Sequence, residues 1–182
     1  PEYALAYVGL ADSYILLQDY SFVSPREALP KAKESVQKAL ELNSSLAEAR
    51  TSLAQVLYRE WDCQGAEEQF RRAIELNRNY ATARHWYAMS CLAPLGRLDE
   101  ALEQMLVAQA LDPTSSIIAR DVSMVYFYRR EFDAALAQHE QTVDLDQAVG
   151  PLAAQGAAQL LLHRHPLAQL DGILGVRRQQ IG

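Results

Sequence analysis

The side chains able to do chemistry are few, and their spacing argues against a reactive centre. His163 and His165 stand two apart, which on a helix turns them to different faces. A polar interhelical turn is therefore the stronger reading there and a metal pair the weaker. Cys63 and Cys91 could join His85 around zinc, but no second closely spaced ligand pair accompanies them, so two reduced, packed thiols are expected. His139 is expected to be packed as well, with a pH-sensitive site as its alternative. Glu67 and Glu68 precede Arg71 and Arg72 by four residues, the spacing of ion pairs on a solvated helix face. The chain has no glycine-rich phosphate loop, no Gly-x-Ser-x-Gly elbow and no His-Glu-x-x-His pair. No catalytic residue, metal or cofactor is nominated, and an enzyme is not expected.

The elements that would position these residues are helices. The chain has 182 residues, and a 49% hydrophobic share is enough for a sizeable core. Ala and Leu are abundant, Gly and Pro sparse, and β-branched residues scattered, a balance that favours helix over strand. The formal net charge of −6 repels phosphate backbones, and no basic stripe offsets it, so this segment is not expected to bind nucleic acid. No apolar run approaches the ~20 residues that span a bilayer, and no signal peptide is visible. A membrane partner is not expected, and a cytoplasmic location is. The first residue, Pro1, is not a methionine, which reads as an excerpt from a longer protein whose flanks would settle a cell-envelope location.

Self-similarity organises the whole chain. Ala32, Ala66, Ala101 and Ala135 are spaced 34, 35 and 34 apart. Four residues beyond each comes Val36, Phe70, Met105 or His139, and three further on Ala39, Ala73, Ala108 or Thr142. Each set closes on a related string: Ala39-Leu-Glu-Leu-Asn43, Ala73-Ile-Glu-Leu-Asn77, Ala108-Gln-Ala-Leu-Asp112 and Thr142-Val-Asp-Leu-Asp146. A second set runs in phase: Leu10-Ala11, Leu53-Ala54, Tyr87-Ala88, Val122-Ser123 and Gly156-Ala157, followed three residues later by Tyr14, Leu57, Cys91, Tyr126 or Leu160. Small residues at mid-helix let backbones approach, and the large ones fill the space between hairpins.

This alternation resembles the tetratricopeptide repeat, a helix-turn-helix unit of ~34 residues. The resemblance covers the chain and implies an all-α, right-handed solenoid of about five antiparallel hairpins, with units near 4–46, 47–80, 81–115, 116–149 and 150–182. The family's early tryptophan is replaced by Tyr7, Arg50, Arg84, Ala119 and Ala153, and its terminal proline survives at Pro113 and Pro1, so an earlier repeat or another domain is expected before Pro1. Stretches such as Tyr3-Ala-Leu-Ala-Tyr-Val-Gly-Leu-Ala-Asp-Ser-Tyr14 and Glu60-Trp-Asp-Cys-Gln-Gly-Ala-Glu-Glu-Gln-Phe70 are similar to bacterial arrays attached to transcriptional regulators, serine/threonine kinases and nucleotide cyclases. That likeness implies a sensing or docking segment of a signalling protein.

Two irregularities interrupt the period. Tyr14 to Ala32 takes 18 residues where Leu57 to Ala66 takes 9, so a long loop is expected around Asp19-Tyr-Ser-Phe-Val-Ser-Pro25. Its Tyr20 and Phe22 are expected to tuck onto the convex side, and a contact loop for a partner is the alternative. Ser24-Pro25-Arg26-Glu27 reads as a capping box, while Pro30 competes as the true helix start. At the far end Gly156 falls on a core position, and the last helix near 167–181 ends in the polar run Arg177-Arg-Gln-Gln180, as a cap would. Trp61 is expected to pack under its hairpin turn, with capping of the groove as the alternative.

In this family the first helix of each unit lines the concave surface. Helical spacing from the small-residue positions then places Thr51, Gln55 and Tyr58, His85, Met89 and Leu92, and Arg120, Met124 and Phe127 along it, with Val8, Asp12 and Ile15 in the first unit. Such an aromatic, methionine-rich and lightly charged groove suits an apolar helix or extended peptide. The expected function is a protein–protein interaction module holding a protein or peptide partner. A structural spacer that forms a homo-oligomer through its terminal repeats is the alternative.

Overall fold

The computed structural model describes residues 3–20 and 22–149, so the expected fifth unit and the His163–His165 turn lie outside the described residues. Those residues hold eight α-helices and no strand: α1 (Ala4–Asp19), α2 (Pro25–Leu42), α3 (Ala47–Arg59), α4 (Cys63–Leu76), α5 (Ala81–Tyr87), α6 (Leu98–Leu111), α7 (Ser116–Tyr128) and α8 (Phe132–Val149). They pack as hairpins α1/α2, α3/α4, α5/α6 and α7/α8, and a π-helical segment, Ala88–Leu92, continues α5.

Burial follows the repeat. Ala32, Ala66, Ala101 and Ala135, then Val36, Phe70, Met105 and His139, then Ala39, Ala73, Ala108 and Thr142 are all buried, as are Ala11, Ala54, Ala88 and Ser123. Second helices end at Asn43, Asn77 and Asp112, whose backbone N–H groups donate to the carbonyls of Ala39, Ala73 and Ala108 at 2.9, 2.9 and 3.0 Å. The Asn43 and Asn77 side chains then accept from the N–H groups of Ser45 and Asn79, at 3.0 and 3.1 Å. A short amide side chain that bonds its own backbone two residues on turns the chain, so Asn43 and Asn77 serve as stop signals, whereas α8 runs past Asp146, which closes the fourth string, to Val149.

The turns inside the hairpins share one geometry. Trp61, Gly96 and Arg130 take φ of 67°, 74° and 65°. The next residues, Asp62, Arg97 and Glu131, donate N–H to the carbonyls of Leu57, Leu92 and Tyr126, each at 3.0 Å. Leu92, not Cys91, is therefore the counterpart of Leu57 and Tyr126. The extra residue behind the 35-residue interval is absorbed in the π segment, where Ala93 N–H reaches back five residues to the Ala88 carbonyl at 2.9 Å.

The first hairpin corrects the expected long loop. α2 begins seven residues before Ala32, whereas α4 begins three before Ala66, and α1 runs five past Tyr14 where α3 runs two past Leu57. Most of the insertion is thus extra helix. Ser24 precedes α2 and Pro30 lies within it, at the cost of a donor for the Arg26 carbonyl. No capping-box bond forms: the Ser24 hydroxyl makes no cap, and Glu27 pairs with Lys31 at 3.0 Å instead.

First helices pack on one another, α1 on α3 and α3 on α5, while each second helix packs on the first helix of the next hairpin. The second helices make no comparable contact among themselves. The closer spacing of first helices makes theirs the inner side of the row. One core cluster runs continuously from Ala54 through Phe70, Tyr87, Leu92 and Met105 to Val125, and so joins the second, third and fourth hairpins.

Candidate interaction surface

The nine residues expected on the inner row divide by burial. Tyr58, Met89, Met124 and Phe127 are partly exposed, and Arg120 is exposed. Thr51 and Leu92 are fully enclosed and offer a partner nothing. Leu92 is enclosed because the π segment shifts it by one residue into the core register, where it joins Phe70 and Met105. Thr51 is enclosed because the neighbouring first helices close over the flank of α3, and its hydroxyl donates to the Ala47 carbonyl at 2.9 Å. Gln55 and His85 are also buried, with Val8 and Ile15 of the first unit.

The buried polar ends are turned toward each other across the inner row. The Ser52 hydroxyl donates to Asp12 at 2.5 Å, linking α3 to α1. Arg59 reaches Asp19 at 2.5 Å and also bonds the Gln55 side chain and, at 3.0 Å, the Gln55 carbonyl. Gln55 Nε2 donates to Ser90 in the π segment at 2.9 Å. His85 Nε2–H donates to the Asp121 carboxylate at 2.7 Å, joining α5 to α7, and Arg120 holds the other carboxylate oxygen at 2.8 Å. Burial raises the Asp12 carboxyl above its ordinary range, and the Ser52 bond offsets part of that. His85 Nε2 is committed to Asp121, and the described residues contain no group of three or more His, Cys, Asp or Glu that could hold a metal ion.

A second network lies where the fourth, fifth and sixth helices meet. Glu67 accepts from Tyr87 at 2.7 Å, from Arg97 at 2.9 Å and from Arg71 at 2.8 Å. Burial works against its charge, but these bonds outweigh it and hold the Glu67 carboxyl below the usual range. Glu67 is therefore a hub between hairpins rather than a simple surface ion pair, and Arg72 pairs with Glu75, not Glu68. Both cysteines are free thiols. Cys91 lies in the core, where burial first and the nearby Glu67 charge second push its thiol up to about 12.

The hairpin turns carry apolar side chains into solvent. Trp61 is 87% exposed and Phe22 76% exposed, with Tyr20 and Leu95 also exposed. Neither the expected packing of Trp61 under its turn nor the tucked loop of Tyr20 and Phe22 occurs. The left-handed backbone at Trp61 points its ring away from the core, and the short link after α1 leaves no segment to fold back. A polar seam and exposed turn aromatics are what sequence reasoning did not find. A polar residue directly after the small position, Asp12 after Ala11 and Gln55 after Ala54, was the available signal for the seam.

Stacked helical hairpins with a period of 34 to 35 residues define a repeat solenoid of the interaction-scaffold class. Residues 46–86 match the tetratricopeptide repeat family model. Similar solved structures include Pseudomonas aeruginosa pilF, with 26% identity and a TM-score of 0.66 over 87% of this chain and 71% of that one. A thermophilic TPR protein of Thermus thermophilus has 19% identity and a TM-score of 0.72, covering 92% and 86% of the two chains. MamA has 20% identity and a TM-score of 0.62, covering 81% of each chain. No curated protein matches the sequence. The fold is that of protein–protein interaction modules, and no described helix is long and apolar enough to cross a membrane.

Proposed function

We propose that the chain is a non-catalytic docking module that holds a protein or peptide segment against the open part of its inner row, where Tyr58, Met89, Met124, Phe127 and Arg120 remain accessible. The observation that carries this reading is the side-chain division along that row: its polar groups are consumed by contacts between hairpins, and the accessible remainder is aromatic and thioether surface with one arginine. Such surface gains from burial against an apolar partner and adapts to its shape. Attachment to a bacterial signalling protein is part of the proposal and is supported by the likeness of residues 3–14 and 60–70 to such arrays. The alternative, a spacer that self-associates through terminal helices, is favoured at one end by the exposed leucines of α1.

Selection of peptides from a random library on the intact chain tests the main reading. Selected peptides are expected to be rich in apolar residues and to lose at least about tenfold in affinity on Met124→Asp or Tyr58→Asp, with unchanged circular dichroism. Peptides that bind those variants as well as the parent would refute it.

A further inference from the structure

Charge along the inner row is matched at one end and unmatched at the other. Asp121 is met by Arg120 and His85, and Asp19 by Arg59. Arg50 and Arg84 are spent on second helices and turns: Arg50 bonds Gln69 and the Ser44 carbonyl, Arg84 bonds Gln104 and the Arg78 carbonyl. Asp12 has only the Ser52 hydroxyl, which meets one oxygen and leaves the charge uncompensated. Neither Asp12 nor Glu48, one turn before Ser52 on α3, enters an ion pair among the described residues, and both are partly exposed. Local geometry brings the two together. The Ser52 hydroxyl that donates to Asp12 also lies 3.1 Å from the Glu48 carbonyl, which sets Asp12 beside the start of α3. Tyr80, which precedes α5, packs against Ala47, the neighbour of Glu48, with Ala73 and Ala83. Burial first pushes the Tyr80 phenol up to about 12, against a bond with Thr82, and the Asp12 and Glu48 charges push it the same way. An aromatic ring in the field of two carboxylates favours a cation over a neutral or anionic group.

Resting on the reading of the inner row as a docking face, we infer that the segment it holds carries a lysine or arginine at its α1–α3 end, seated among Asp12, Glu48 and Tyr80, with its apolar side chains over Met89, Met124 and Phe127. A purely apolar segment would shield both carboxylates from water without supplying a counter-charge, a desolvation cost that a basic side chain offsets. The basic group also fixes the direction of binding. A segment laid the other way would bring its cation to Arg120, whose side chain is half exposed, and like charge disfavours that arrangement. With first helices about 9 Å apart, the Asp12 seam lies roughly 22 Å from Met124, which is about seven residues of an extended chain. The partner is therefore a segment with its cation and its apolar anchors separated, not a uniformly apolar one.

The peptides selected from a random library on the intact chain are the probe, with affinities read by titration calorimetry. They are expected to carry a lysine or arginine on one side of their apolar anchors. Replacing that residue by glutamine should weaken binding to the parent chain at least about fivefold, and raising the salt concentration should weaken it too. On the pair Asp12→Asn with Glu48→Gln, the first of which keeps an acceptor for Ser52, the same replacement should cost little, because the charge it met is gone. Glu48→Gln alone, at a side chain that makes no bond among the described residues, should already reduce the loss and serves should the pair disturb the α1–α3 seam. Binders without a basic residue, or whose lysine can be replaced without loss, would overturn this inference; if Met124→Asp still abolishes their binding, the inner row remains the docking face. An absence of binders, or binders indifferent to Met124→Asp, would sink both.

Discussion

At the level of single residues, the inner row shows how a repeat array spends polar side chains. Asp12, Ser52, Gln55, Ser90, His85 and Asp121 stand on neighbouring first helices and satisfy one another. A burial of this kind costs desolvation unless the partner is present, so each pair fixes the register of one hairpin on the next more than it adds net stability. His85 and Asp121 make the strongest case, because both are 8% exposed and Arg120 already saturates the second oxygen of the carboxylate. His85→Ala leaves one oxygen of the enclosed Asp121 carboxyl group without its hydrogen-bond partner. Urea denaturation should show a loss of about 2–4 kcal/mol, and Asp121→Asn, which keeps an acceptor for the ring, a smaller one. These pairs were not legible in the sequence: 35 to 40 residues separate their members, and nothing in the chain marks which polar side chain meets which. The alanines were legible because burial at every period leaves the same mark four times over.

Among the elements, the hairpin turns set the tightest local demands. Three equivalent turns need a left-handed residue, and only one has glycine there: Gly96, against Trp61 and Arg130. An ordinary side chain in that region costs roughly 1–2 kcal/mol, of which glycine's extra unfolded freedom returns about 0.5–1. Trp61→Gly and Arg130→Gly should therefore stabilise the fold slightly, by about 0.5 kcal/mol, and Gly96→Ala should destabilise it by about 1 kcal/mol, all read by chemical denaturation. A tryptophan kept in a strained turn with its ring in solvent contributes nothing visible to the fold, so a functional contact is where its benefit would lie. The misplacement of Leu92 belongs to this scale too. A one-residue insertion inside a helix leaves no glycine or proline behind, so the interval of 35 showed that a residue had been added without showing that a π segment held it.

For the molecule as a whole, stability in such a row is a sum of hairpins and the seams between them, and the seams here are unequal. The large cluster spans the second to fourth hairpins, whereas α1 and α2 are joined to α3 through two small clusters, Val8–Ala39–Ala49 and Ile15–Ala32–Val56. The Glu67 hub lies on the same side of the division, tying α4 to α5 and to the Arg97 turn. Its carboxylate adds stability above its unfolded value of about 4.5, and that contribution is lost as pH falls through the lowered folded value. Opening should accordingly begin at the first hairpin. Native-state hydrogen exchange at neutral pH and low protein concentration should find α1 and α2 amides exchanging through a lower-energy opening than those of α4 and α6. Equal protection across α1, α2, α4 and α6 would mean that the small clusters couple the first hairpin as firmly as the large one couples the rest.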